Sequence, residues 1–170
     1  MYKITKRIEF DMGHRIPQHD SKCKNLHGHR YIIEAEILSK ELINQGSKEG
    51  MVEDFGDIKQ IMMNKIHNIL DHGFMMSKND NELIKAFGIE FMGNKTDYKY
   101  PILNDYDFKL IVVDFIPTAE NIAKWCFEQI KDDINIINNK KRTKENYVRE
   151  LVKVRIWETP NSIAEYSEEQ

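Results

Sequence analysis

Apolar residues recur at two spacings along this chain, and those spacings divide it into strands and helices. Tyr2, Ile4, Ile8 and Phe10 fall on alternate positions, the period of a half-buried strand over residues 2–10. The same period returns over residues 30–38, where Tyr31, Ile33, Ala35 and Ile37 share a face, and over 151–158, where Val152, Val154, Ile156 and Glu158 do. Residues 110–115 read as a further strand. Ile58, Ile61, Met62, Ile66, Ile69 and Leu70 instead follow helical spacing, predicting a helix over 55–70 that Asp54 or Asp57 opens and Gly73 stops. A second helix begins after Pro117, with Thr118 as its N-cap and Ala119, Ile122, Ala123, Cys126 and Ile130 turned inward.

Polar residues mark the connections. Residues 15–25 form a loop and Gly46 to Gly50 a turn. Residues 77–107 read as an insertion with a short helix near 82–87, and the Asn- and Lys-rich stretch 132–146 as a mobile loop. No repeat or second domain is evident, so residues 1–170 form one domain. The order of elements predicts an α+β fold, an antiparallel sheet with two helices packed on one face.

Composition narrows the function classes. The net charge of −3 speaks against a nucleic-acid or membrane-surface role, and the basic group Lys140, Lys141, Arg142 and Lys144 reads as solvated. No apolar run reaches the roughly 18 residues of a membrane span, and the first ten residues lack the apolar core of a secretory leader. The expectation is a reduced, cytoplasmic protein, in which the two cysteines are reactive groups, metal ligands or core thiols rather than a disulfide.

The densest chemical signal is the run Cys23-Lys-Asn-Leu-His27-Gly28-His29. If the strand over 30–38 extends back through His27, then His27 and His29 point to its apolar side, where two imidazoles are costly unless something binds them. A zinc ion satisfies them, and His14 completes a three-nitrogen set with one coordination position open if the first two strands pair. The competing reading makes His27 and His29 hydrogen-bonded residues near a turn. Cys23 is either a reactive thiol or a fourth, structural ligand. Asp71-His72 is either an acid–base pair or a helix-end histidine facing the dipole. Glu158, on a face otherwise apolar, either lines a pocket, where it can accept two parallel N–H bonds, or ends an exposed strand. Glu120 is explained as a first-turn acid, His19 and His67 as surface residues, and Cys126 as a core thiol.

Six stretches resemble, in order, the 6-pyruvoyltetrahydropterin synthase / 6-carboxytetrahydropterin synthase family. They are Phe10-Asp-Met-Gly-His14-Arg15, Cys23 to His29, Gly50-Met-Val-Glu-Asp54-Phe55, Leu70-Asp71-His72, Pro117-Thr-Ala-Glu-Asn121 and Trp157-Glu158-Thr159. The resemblance implies a tunnelling fold, in which sheets join into an oligomeric barrel and two trimers form a homohexamer with active sites between subunits. It matches His14, His27 and His29 to zinc ligands, Cys23 to the catalytic proton acceptor and Asp71 with His72 to a relay pair. Glu158 matches the pterin anchor. Thr118 and Ala119 match a segment whose backbone meets the pterin, with Ala119 where the family often has a second Thr. Three residues separate Cys23 from His27, as in the 6-carboxytetrahydropterin synthases of 7-deazapurine (queuosine-type) biosynthesis. The implied reaction converts 7,8-dihydroneopterin triphosphate to 6-carboxytetrahydropterin with loss of acetaldehyde and triphosphate. A 6-pyruvoyltetrahydropterin synthase and a zinc- or pterin-binding module without turnover are the alternatives.

Overall fold

The alternation that begins at Tyr2 carries past Phe10, so β1 spans Tyr2–His14 with Ile8, Phe10, Met12 and His14 buried on one face. The computed structural model describes residues 1–92, 97–99, 108–140 and 148–168. β2 (His27–Ser39) runs antiparallel to β1, setting Phe10 opposite Tyr31, Met12 opposite His29, Gly13 opposite Gly28 and His14 opposite His27. Along the chain follow α1 (Phe55–Met62), α2 (Asn68–Leu70), β3 (Gly73–Ser77), α3 (Asn81–Phe87), β4 (Glu90–Met92), β5 (Asp97–Lys99), β6 (Leu110–Val113), α4 (Ala119–Lys140), β7 (Arg149–Thr159) and β8 (Ser162–Tyr166).

The main sheet has the order β6-β3-β1-β2-β7-β8. The expected antiparallel arrangement holds across β1, β2, β7 and β8, whereas β3 and β6 add to the other side in parallel. The chain reaches β3 out of a helix rather than a hairpin, the connection that parallel neighbours require. Gly73 is therefore the first residue of β3, and the helix stop falls one residue earlier on His72, whose φ is +57°.

α1 and α2 are joined by a π-helical turn over Met63–His67. The buried residues of this run, Ile58, Met62, Ile66 and Leu70, are spaced four apart, while Ile69 is exposed. In an α-helix of about 3.6 residues per turn that spacing drifts steadily off one face, and the wider π turn brings it back. Asp54 caps the start by accepting from Gly56 N at 2.6 Å. α4 continues beyond Ile130, because Ile134 extends its buried stripe. Residues 132–140 are thus helical rather than loop, and 141–146 lie outside the described residues, as do 93–96 and 100–107 of the expected insertion. In β7 the core side chains are Leu151, Val154 and Ile156, not Val152. A register shift opposite Glu36 and Ile37 inserts one residue there, which reverses the alternation on one side of it.

Both long helices cover one face of the sheet, and the core lies between. The opposite face carries charge. Lys3 pairs with Glu36 (2.9 Å), Arg30 with Asp11 (3.1 Å), Arg155 with Glu36 (3.0 Å) and Glu165 (2.9 Å), and Lys153 with Glu165 (3.0 Å). Among the described residues no helix is long and apolar enough to cross a membrane.

Close approach of β1 and β2 depends on Gly28, where a Cβ would lie 2.9 Å from the Met12 carbonyl oxygen. Gly28→Ala should therefore destabilise the protein by about 1–3 kcal/mol, the usual cost of overpacking. Denaturant melts measure this, and an unchanged midpoint would contradict it.

Candidate metal centre and active site

Register alone brings three imidazoles together. His14 ends β1 directly across from His27, and His29 is the next core-facing residue of β2. Ring centroids are 4.5 Å apart for His14–His27, 5.3 Å for His14–His29 and 5.1 Å for His27–His29. One ligand atom from each lies within 4.8 Å of the other two. His14 Nδ1 donates to the Pro117 carbonyl at 2.7 Å and His27 Nδ1 to the Asn25 carbonyl at 2.8 Å. A carbonyl can only accept, so Nδ1 carries the proton in both rings, and each neutral Nε2 keeps its lone pair. His14 Nε2 is buried without a hydrogen-bond partner. Such oriented, otherwise unsatisfied nitrogens fit a divalent metal ion, with the backbone carbonyls as outer supports.

Burial is the main cause holding both His14 and His29 below the usual imidazole range. For His14 the Pro117 bond and Glu158 oppose it, and neighbouring His27 adds to it.

Glu158 faces the same cluster from β7. Its Oε1 lies 3.4 Å from His14 Nε2 and 4.0 Å from His29 Nε2, and accepts from the Tyr31 hydroxyl at 3.4 Å. Tyr31 is fully buried, and its phenol is pushed far above its ordinary value by burial first and then by the charge of Glu158. Period-2 reasoning puts Tyr31 on the core face but gives no hint that its hydroxyl reaches a carboxylate 127 residues away in sequence.

Cys23 sits in a single 3-10 turn, Lys22–Lys24, half-buried, with its carbonyl accepting from Ile16 N at 2.8 Å. Its sulfur is not one of the mutually close ligand atoms. Thr118 caps α4, accepting from Asn121 N at 3.4 Å, while its own N–H goes to Ile116 O at 2.7 Å. Ala119 opens that helix, and the intervening Pro117 ties this corner to His14.

Asp71 and His72 are together but elsewhere. His72 Nδ1 lies 2.7 Å from Asp71 Oδ2. The pair is docked on the β1 backbone, with Asp11 N donating to Asp71 Oδ1 (3.1 Å) and Asp11 O accepting from His72 N (2.7 Å). The Asp11 side chain pairs across the strands with Arg30, on the face away from the helices. Burial would raise the Asp71 carboxyl, but the Asp11 N–H and the His72 ring hold it below the usual carboxylate range. The His72 side chain is 80% exposed. Asp11, Arg30 and His72 line a cleft of about 490 Å³ together with Gly13, Gly28 and His29. His67, expected as a surface residue, is partly buried with Nε2 4.0 Å from Asp71 Oδ2. Cys126 is a core thiol, and burial pushes it far up.

Depressed imidazoles have a consequence for pH. Between their folded values and about 6.5 the unfolded chain binds more protons. Their contribution is therefore present above that value and lost as pH falls through the folded ones. The metal-free protein should melt lower near pH 5.5 than near pH 7.5, with a smaller difference in His14→Phe. Equal pH dependence in both would refute the assignment.

The profile of the 6-pyruvoyl tetrahydropterin synthase family matches residues 3–169. A 6-carboxy-5,6,7,8-tetrahydropterin synthase from Haemophilus influenzae is 35% identical over 169 residues, covering 99% of this chain and 100% of that protein. One from Aquifex aeolicus is 30% identical over 191 residues, covering 99% of each. The fold is shared with a crystal structure of an uncharacterized protein from Wolinella succinogenes (TM-score 0.73, 24% identity, 99% and 98% covered). It is shared also with the Plasmodium vivax 6-pyruvoyl tetrahydropterin synthase (TM-score 0.60, 17% identity, 99% of each covered). From its β1–β2 histidine register to its six-stranded mixed sheet, this chain belongs to the 6-pyruvoyl tetrahydropterin synthase family.

Proposed function

We propose that this protein is a zinc-dependent 6-carboxy-5,6,7,8-tetrahydropterin synthase, acting on 7,8-dihydroneopterin triphosphate. The observation that carries the reading is the convergence of His14, His27 and His29, two of them with Nδ1 committed to a backbone carbonyl, beside the Glu158 carboxylate. Relatives named for this activity over nearly their whole length support it.

Zinc, when held by these three rings, supplies Lewis-acid polarisation of the substrate's side-chain hydroxyls. The rest is done by the chain. Glu158 accepts two N–H bonds from the guanidine-like edge of the pterin, which fixes the ring's orientation. The Thr118–Ala119 corner borders that ring. Cys23 takes a proton from the side-chain carbon, and the Asp71–His72 pair gives and receives protons at oxygen, with Asp71 holding Nδ1 so that Nε2 faces the substrate.

Within one chain the pair lies beside Asp11 and Arg30, while the three imidazoles gather with Glu158. The family resemblance implies that active sites lie between subunits. We therefore assign the Asp71–His72 pair to the site of a neighbouring subunit, in a homohexamer built from two trimers. Its exposed ring is available for that contact.

Purified, zinc-loaded protein should release acetaldehyde and triphosphate from dihydroneopterin triphosphate, read by mass. Triphosphate release with the carbon chain retained would favour a 6-pyruvoyl synthase, and no turnover would favour a binding module. Cys23→Ala should lower kcat by at least about 100-fold with zinc content unchanged. Glu158→Gln should raise KM by about 10- to 100-fold, as expected for a lost charge-assisted contact.

Shared sites predict complementation. Cys23→Ala and His72→Ala, each strongly impaired alone, should on subunit mixing regain about a quarter of the sites, the share expected from random assembly. No recovery in mixed oligomers would place both groups in one subunit's site.

A further inference from the structure

The Asp71–His72 turn is gripped from both sides of β3. On the β1 side the grip is the Asp11 backbone. On the β6 side Phe74 N donates to the Lys109 carbonyl at 2.9 Å, which anchors Lys109 alongside. From there its ammonium reaches back to donate to the carbonyl oxygens of Asn68 (2.8 Å) and Asp71 (2.7 Å). These carbonyls lie at the end of the helix that stops at Leu70, where no following turn supplies N–H donors and the dipole favours a cation. One of them belongs to the pair itself.

His72 needs such support. Its φ of +57° is left-handed, a conformation that side chains with a Cβ rarely adopt. The turn's shape is imposed by its neighbours rather than preferred by its residues. Asp11 fixes the Asp71 carboxylate and the His72 N–H, and Lys109 fixes the Asp71 carbonyl between them.

We propose that Lys109 is a positioning residue for the Asp71–His72 pair, holding it in the geometry that proton transfer requires. This rests on the reading of that pair as the relay. The Lys109 ammonium donates to main-chain carbonyls, so it acts through the Asp71 main chain. Its loss should lower kcat while leaving substrate affinity and metal content in place.

The test is steady-state kinetics on the full-length, zinc-loaded protein with dihydroneopterin triphosphate. The set is wild type, Lys109→Met, Lys109→Arg, His72→Ala and the Lys109→Met/His72→Ala double variant. Lys109→Met should lose about tenfold or more in kcat, since misplacement of about 1 Å can cost 100-fold, with KM within about twofold of wild type. Lys109→Arg, which keeps the cation and its donors, should restore most of it. The double variant should be no slower than His72→Ala alone, because a residue acting only through His72 has nothing further to remove. A purely structural lysine would instead give multiplied losses, and that result overturns the proposal. Unchanged kcat in Lys109→Met overturns it too, with the relay reading intact if His72→Ala is strongly but measurably slowed. Full activity in His72→Ala, or a wild type without turnover, removes the relay reading and this proposal together. Should Lys109→Met melt below the assay temperature, Lys109→Gln takes its place and should fall between Arg and Met.

Discussion

Three imidazole rings are packed at the end of a largely apolar sheet face, and their position follows from the pairing of β1 with β2. Both strands are 13 residues long, and the ladder runs without interruption from Tyr2–Ser39 to His14–His27. A slip of one residue would turn one strand's apolar set, and its histidines, to the charged face. The burial of Ile8, Phe10, Tyr31, Ile33 and Ile37 therefore selects the register, and the register assembles the three-histidine cluster that could hold a metal ion. Gly28 permits the close approach just where the rings meet. Desolvation then favours the neutral form of His14 and His29, the form in which nitrogen can bind a metal.

The two faces of the sheet carry different chemistry. Toward the helices lie the core, the imidazoles, Tyr31 and Glu158. Away from them lie cross-strand ion pairs, including the nearly buried Glu36 between Lys3 and Arg155. A sheet whose second face is this polar does not bury it in a dry interface, which suits the barrel assembly that the family resemblance implies. The Asp71–His72 pair lies beside Asp11 and Arg30, at the polar side of the sheet.

That pair owes its geometry to residues remote in sequence. Asp11 comes from the strand that bears His14, and Lys109 from the approach to β6. Strain at His72 is balanced by hydrogen bonds on both flanks, so a short turn with an unfavourable backbone keeps one shape.

Much of this was legible in the sequence. The period of two fixed the core faces of β1 and β2, and with them the common direction of His27 and His29. The period of 3.6 and the Thr118 cap located the start of α4, and the burial cost of an imidazole argued for a metal from spacing alone. Other features needed tertiary contacts. Gly73 carries a helix-stop signal, yet it became a strand residue because β1 offered a parallel ladder. Val152 lost its core position to Leu151 because a bulge opposite β2 shifted the alternation. Nothing local marks Tyr31 as a partner of Glu158, or Lys109 as a clamp on Asp71. Local sequence determines which face a side chain takes, since backbone geometry sets that within a few residues. Which distant group it meets there is decided only when strands far apart in the chain choose their neighbours and their register.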